Sequence, residues 1–364
     1  MPTIEVITDL AAFRALREDW NALVYEADAS MFQTWEWSWN WWRANSRGKS
    51  LLIVAVRDGS RLLAVAPLYI STSYLGLPIR VISFLGTGGT DSLDFIAHRG
   101  KRDSAVVLVD YLFDLTGWDA IDLHQLPGNG MMAELMQLKA VAAGLVYDRM
   151  DQDACYSLAL PSSWEEYIAG LSKKFRWNLQ YYTRRLKRDY EIAFRLSNNN
   201  SVKEDIELFF RLHQKRFLNK KKPGAYLNPK FRKFHASLAV DLCESGWLRL
   251  YFLEIHGQAV AALYGFQFSD SFYYYLGGFE PDWGAMSVST VLIGRSIEDS
   301  IAEGLSRFDF LRGQEPYKQK WLALESHNYR LIISHPGRKS GLVQRMLSLE
   351  NDLTKRAKDI IIKS

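Results

Sequence analysis

Two short stretches hold the residues best placed to do chemistry. The first is Gly284-Ala285-Met286-Ser287-Val288-Ser289-Thr290, where an aromatic, strand-like run leaves Gly277, Gly278 and Pro281 and enters a helix-periodic apolar segment. The open N–H groups and the dipole of a helix start attract anions, each charge–dipole contact contributing roughly 0.3–1 kcal/mol. A pyrophosphate at residues 286–290 is one reading; an ordinary helix capped by Ser287 or Ser289 is the other. The second stretch, residues 312–321, sets Glu315, Tyr317 and Lys318 close together. A positioned acid or base contributes 10²–10⁴-fold in rate (about, by general experience). Asp309 adds a carboxylate just upstream, with burial against Arg312 as its alternative. Glu280 and Asp282 precede the helix start, either to orient an acceptor or to face water. His213 is a further base candidate or a structural helix residue.

Several chemistries lack their motifs. There is no HExxH, the seven histidines are scattered, and no G-x-S-x-G elbow or P-loop is present, so no metal site is expected. Cys155 and Cys243 have no paired spacing, which favours a reducing compartment over a disulfide framework. The net charge of +4 suits anionic substrates without selecting one. The N-terminus has no signal-peptide pattern and no run approaches ~20 apolar residues, so the expected location is cytoplasmic, with no membrane span.

The elements around these stretches follow from periodicity. Residues 247–255, 258–268 and 271–278 read as three antiparallel strands separated by His256-Gly257 and Ser269-Asp270. Val291, Leu292, Ile297, Ile301 and Leu305 mark a helix, and residues 307–311 return as a strand parallel to its predecessor. The first half repeats the plan: residues 57–69 have the shape of 256–264, and Trp118–Leu123 (WDAIDL) takes the place of RFDFL at 307–311. The chain therefore reads as two copies of one α/β unit, offset by about 190–200 residues, joined near Pro161. Residues 163–189 are expected to be one basic helix, with Lys173, Lys174, Arg176, Arg184, Arg185, Lys187 and Arg188 interleaved by aromatics. A solvated face, a phosphate-rich ligand, and tRNA or an anionic membrane surface all remain open for it. Trp35, Trp37, Trp39, Trp41 and Trp42 form either core or a groove lining. Lys220–Lys222 beside Pro223-Gly224 reads as a loop, and residues 340–361 as a last helix.

The order hairpin, strand, helix, strand, helix resembles the GNAT acyltransferase superfamily. The runs GWLRLYFL, VAALYGF, YYYLGGFEPDW and FDFLRGQEPYKQKW are similar to its bacterial CelD/FemAB-like branch, over about residues 30–335. The resemblance implies an α/β chain of two tandem GNAT-like domains, each a mixed, mostly antiparallel sheet flanked by helices. Their expected spans are 1–160, 161–335 with the acyl-donor site, and a C-terminal helix at 336–364. It implies direct transfer from acetyl-CoA or another acyl-CoA to a sugar, amino-sugar or amino-acid precursor of envelope polysaccharide. Tyr317 would be the acid for the leaving thiolate, Glu315 the base and Lys318 a clamp on phosphate or a sugar carboxylate, with Asp309 beside them. Gly278, Ser287, Val288, Ser289, Thr290 and Arg312 would hold the donor. Glu280, Asp282, His213 and Trp321 would face the acceptor. One departure is that serines stand where the family's phosphate loop, Q/R-x-x-G-x-G/A, has glycines. It keeps two alternatives in view: a FemAB-like ligase using aminoacyl-tRNA, and a non-catalytic binding or scaffold protein. A homodimer is compatible with all three.

Overall fold

In the computed structural model the contacts divide the chain into two units, Met1–Ala154 with Ser326–Ser364, and Cys155–Glu325. The structure describes residues 2–74, 77–128, 130–219, 221–337, 341, 343, 345–347, 349 and 350.

Unit 1 begins with β1 (Thr3–Ile7), α1 (Leu10–Ala15), α2 (Arg17–Glu26) and α3 (Trp35–Asn45). Asp9 caps α1 by accepting from the N–H groups of Ala11 and Ala12. Trp35, Trp37, Trp41 and Trp42 on α3 are all buried, so this cluster is core and not a groove. The hairpin β2 (Lys49–Asp58) and β3 (Arg61–Ser71) is followed by β4 (Val81–Phe84) and the short β5 (Ile96–Ala97). Helix α4 (Arg102–Asp114) then crosses to β6 (Ala120–Pro127), which lies parallel to β4. Alternate residues of the hairpin, Leu52, Val54 and Val56 with Ala64, Ala66 and Leu68, bury one face against Leu108, Leu112 and Met136. Leu108 and Leu112 come from α4 and Met136 from α5 (Met131–Ala142).

Strand β7 (Val146–Ala159) leads out of unit 1. It is far longer than the 156–160 expected, because the acidic run between residues 148 and 153 reads as loop. Unit 2 continues with α6 (Trp164–Gly170), α7 (Lys173–Asp189), β8 (Ile192–Leu196), α8 (Val202–Asn219) and α9 (Pro229–Glu244). The expected single helix over 163–189 is two, because Ser172 breaks it and caps α7 by accepting from the Phe175 N–H. The antiparallel strands β9 (Leu248–Ile255), β10 (Gln258–Phe268) and β11 (Ser271–Phe279) follow. Helix α10 (Val288–Ala302), β12 (Arg307–Arg312) and the one-turn α11 (Tyr317–Lys320) complete the unit. The sheet order here is β7-β12-β11-β10-β9-β8, and β11–β12 is its parallel pair.

The chain then returns. Strand β13 (Leu324–Ser334) pairs antiparallel with β6, from Asn328 opposite Pro127 to Ser334 opposite Ala120. Arg330 on β13 is buried and binds both carboxylate oxygens of Asp122, at 2.7 and 2.8 Å. The contacts therefore divide at 154 and 325, where the sequence reading drew 160 and 335: residues 326–334 hydrogen-bond into the first sheet. Val343 and Leu347 pack with Ile79, Val81, Ala120 and Ile332 of the same unit. Leu342, Leu353 and Ile360 of the expected last helix lie outside the described residues, as does Lys220 of the expected basic loop. Among the described residues no helix is long and apolar enough to cross a membrane.

Candidate functional site

Unit 2 contains a fork. Strands β11 and β12 pair only from Ser271–Tyr273 to Arg307–Asp309 and then part. Tyr274 is the first residue beyond the pairing. Just past the fork, Ser287 adopts a left-handed backbone (φ 52°) and α10 begins at Val288. Ser287 stands at the N-cap position but makes no capping hydrogen bond, so the first-turn amides of α10 have no side-chain cap. A cavity of about 140 Å³ opens there, lined by Phe175, Arg216, Tyr274, Ser289, Thr290, Ile293, Tyr317, Lys320 and Trp321.

Its polar wall is a connected set. Arg216, reaching in from α8, donates at 3.0 Å to the Gly277 carbonyl and also hydrogen-bonds the Tyr274 hydroxyl. Tyr317 donates to the same hydroxyl. Gly277 makes this possible: a β-carbon there would lie 2.6 Å from Tyr274 Oη. Burial raises both phenols, Tyr274 above its ordinary value and Tyr317 well above it, so each is a proton carrier at neutral pH. Arg216 and the hydrogen bond from Tyr317 pull Tyr274 the other way, which makes the pair one coupled acid.

The residues named from sequence fall into two groups. Ser289, Thr290, Tyr317 and Trp321 line the cavity, and Ser287 and Val288 form the helix start beside it. The others do not line it. Lys318 is buried and donates to the carbonyls of Leu311, Arg312 and Gly313, with Glu315 at 3.0 Å. Its three protons are committed to this turn, so it is a structural clamp and not a phosphate ligand. Glu315 is held by Lys318 in that turn, half its side chain in water. Asp309 accepts from Arg307, not Arg312, and from the Leu311 N–H, fixing the bulge where β12 turns toward β7. Arg312 contributes a carbonyl to the clamp.

Gly278 is needed for packing: a β-carbon there would lie 2.4 Å from the backbone nitrogen of His213 on α8. His213 is fully buried among Phe209, Phe217 and Tyr226, and burial pushes its imidazole down to about 3, so it is a neutral core residue. Glu280 pairs with Lys215, and Asp282 is exposed. Arg216, Tyr274, Phe175 and Lys320 also line the cavity, though none was expected there from the sequence. Replacing Lys318 by Met should destabilise unit 2 by about 2 kcal/mol, since buried carbonyls lose their donor. Urea unfolding followed by circular dichroism measures this, and a change under about 0.5 kcal/mol would refute the clamp.

Unit 1 has a fork of the same kind, where β4 and β6 pair only over Val81–Ile82 and Ala120–Ile121. Here the chain fills the gap itself. The Leu93 N–H donates to the Gln125 carbonyl at 3.0 Å, and Trp37 Nε1 holds Thr90 Oγ1 at 2.8 Å. The Gly86–Gly89 loop is thus part of a plug.

A parallel pair that pairs briefly and then parts, its strands joined by a crossover containing a helix, is present in both units, and residues 173–319 match the family model described as Acetyltransferase (GNAT) domain. Unit 2 has a GNAT-type fold, and unit 1 repeats its strand–helix–strand plan. FemX aligns over 90% of this chain and 96% of its own, at 10% identity and a TM-score of 0.66. L-PGS from Bacillus licheniformis aligns over 90% and 96%, at 13% identity and a TM-score of 0.55. The C-terminal domain of a putative lysylphosphatidylglycerol synthetase from Agrobacterium fabrum aligns over 93% and 97%, at 11% identity and a TM-score of 0.55. No curated protein matches the sequence. In GNAT terms, unit 2 has the open fork and unit 1 the closed one. Among the described residues no group of three or more His, Cys, Asp or Glu could hold a metal ion.

Proposed function

We propose that the chain is an acyltransferase whose unit 2 binds an anionic acyl donor, acyl-CoA in the first instance, at the start of α10. The acyl group passes directly to an amine or hydroxyl of a sugar, amino-sugar or amino-acid precursor of envelope polysaccharide. One observation carries the reading: an uncapped helix start, a guanidinium and a pair of protonated phenols share a single cavity at the parting of two parallel strands. The backbone amides near Ser289 and Thr290, with Arg216 and Lys320, supply the attraction for phosphate. The serines replace the family's glycines yet leave that helix end open. Tyr317 and Tyr274 supply the proton to the departing thiolate, and Phe175, Ile293 and Trp321 give the reacting carbonyl an apolar wall. The set contains no side chain placed as a base, so the acceptor is expected to enter as a neutral amine or be deprotonated by water.

Calorimetric titration with acetyl-CoA tests the donor site. Micromolar binding is expected, weakened about tenfold by Ser289→Glu, which sets a carboxylate at the helix start against a phosphate. Absence of binding by the unmodified protein at millimolar acetyl-CoA would overturn the reading. The FemAB-like alternative would then be tested with charged tRNA.

A further inference from the structure

Helix α7 has two working faces. Its inner face carries Phe175, which lines the cavity, and Leu179, which packs on Gly294 of α10. Its outer face carries Lys173, Trp177, Arg184 and Arg188 at four- and seven-residue spacing, so they form one stripe. Trp177 is 56% exposed and stacks flat on Tyr181, ring centroids 4.9 Å apart and 11° between planes. Seven cations stand on this helix against one acid, Asp189, which is shared by Arg185 and Arg188. Lys173, Lys174, Arg184 and Lys187 have no acidic partner among the described residues.

We infer that the outer face of α7 is a docking surface for an anionic lipid bilayer. An exposed indole standing among unpaired cations has no folding rationale. It matches an interface in which phosphates meet the charges and the ring sits at headgroup level. The exposed indole separates this partner from nucleic acid: single strands are held in grooves with aromatic platforms, and the phosphate and 2′-hydroxyl surface of an RNA duplex offers no apolar layer for the ring. A convex helix face with long aliphatic stems fits a bilayer surface. Docking would hold the cavity roughly one helix diameter, ~10 Å, from the headgroups. The docking surface stands on α7 alone and does not depend on the reaction in the cavity.

The test is co-sedimentation of the full chain with phosphatidylcholine vesicles, with and without roughly one-third phosphatidylglycerol, at about 0.1 M salt. Binding is expected only to the anionic vesicles, with release at about 1 M salt. The double variant Lys173→Gln/Arg184→Gln should lower the partition coefficient about 25-fold, at roughly fivefold per lost cation. Trp177→Ala should lower it severalfold. All three side chains are exposed, and circular dichroism verifies that the variants fold. Failure to bind anionic vesicles, or equal binding to neutral ones, overturns the proposal. So does a tRNA gel shift abolished by the same double variant while vesicles are ignored.

Discussion

Tyr317→Phe is expected to lower turnover about 100-fold while the donor's dissociation constant stays within about threefold. The phosphate contacts at the start of α10 survive this change, so the loss should appear in the chemical step. Tyr274→Phe should cost about as much, and the double variant little more than either single one. The reason is that Tyr317 donates to the Tyr274 hydroxyl while Arg216 holds the same oxygen, so the two phenols are one device. Because burial lifts both above the ordinary phenol value, neither should produce an alkaline fall in kcat below about pH 10. The measurement is release of free CoA from acetyl-CoA across a panel of amino sugars and amines. Retention of more than about a third of wild-type turnover by Tyr317→Phe, with the fold preserved, would remove the acid from this site and strengthen the case for a non-catalytic protein.

Gly278→Ala should destabilise unit 2 by about 3 kcal/mol, at the upper end of overpacking costs, and lower its melting temperature by about 6–12 °C. The added carbon would meet the backbone of Leu212 and His213 at 2.4–2.8 Å, and backbone in a helix cannot rotate aside. Separation of α8 from β11 would also carry Arg216 away from Tyr274. Gly284→Ala is the control: its new carbon would meet Phe279 at 3.5 Å, an ordinary contact, and little change is expected. Differential scanning calorimetry of the two variants decides. Equal melting temperatures would mean that Gly278 is not a packing requirement.

Legibility from sequence followed the range of the interactions involved. Strands β9, β10 and β11 are bounded by short turns and alternate cleanly, so their limits could be read almost to the residue. Strand β7 could not, because its first half is acidic and only its last residues look like sheet. Tyr317 and Trp321, named by resemblance in one short run, line the cavity. Arg216 was not so named: it lies 58 residues before Tyr274 on an ordinary amphipathic helix, and only the approach allowed by Gly277 and Gly278 brings it in. Lys318 and Asp309 misled for a related reason. Charged residue types beside a site suggest chemistry, while hydrogen bonds to the adjacent turn and bulge decide their use. Ser287 lies where a cap was expected, but its left-handed backbone takes the hydroxyl out of capping.

The return of β13 to the first sheet sets the order of events at the ribosome. Unit 1 leaves the exit tunnel without the strand that supplies Arg330 to the buried Asp122 carboxylate and Asn328 to the Asp91 carbonyl. Those partners are 208 and 237 residues apart. At typical elongation rates the roughly 170 residues of unit 2 take about 10–30 s to appear. For that interval Asp122 and the edge of β6 wait without their partners. Unit 2, contiguous in sequence, can close as soon as it emerges. The half with the open fork is thus free to fold first, and the half that begins the chain completes its sheet last.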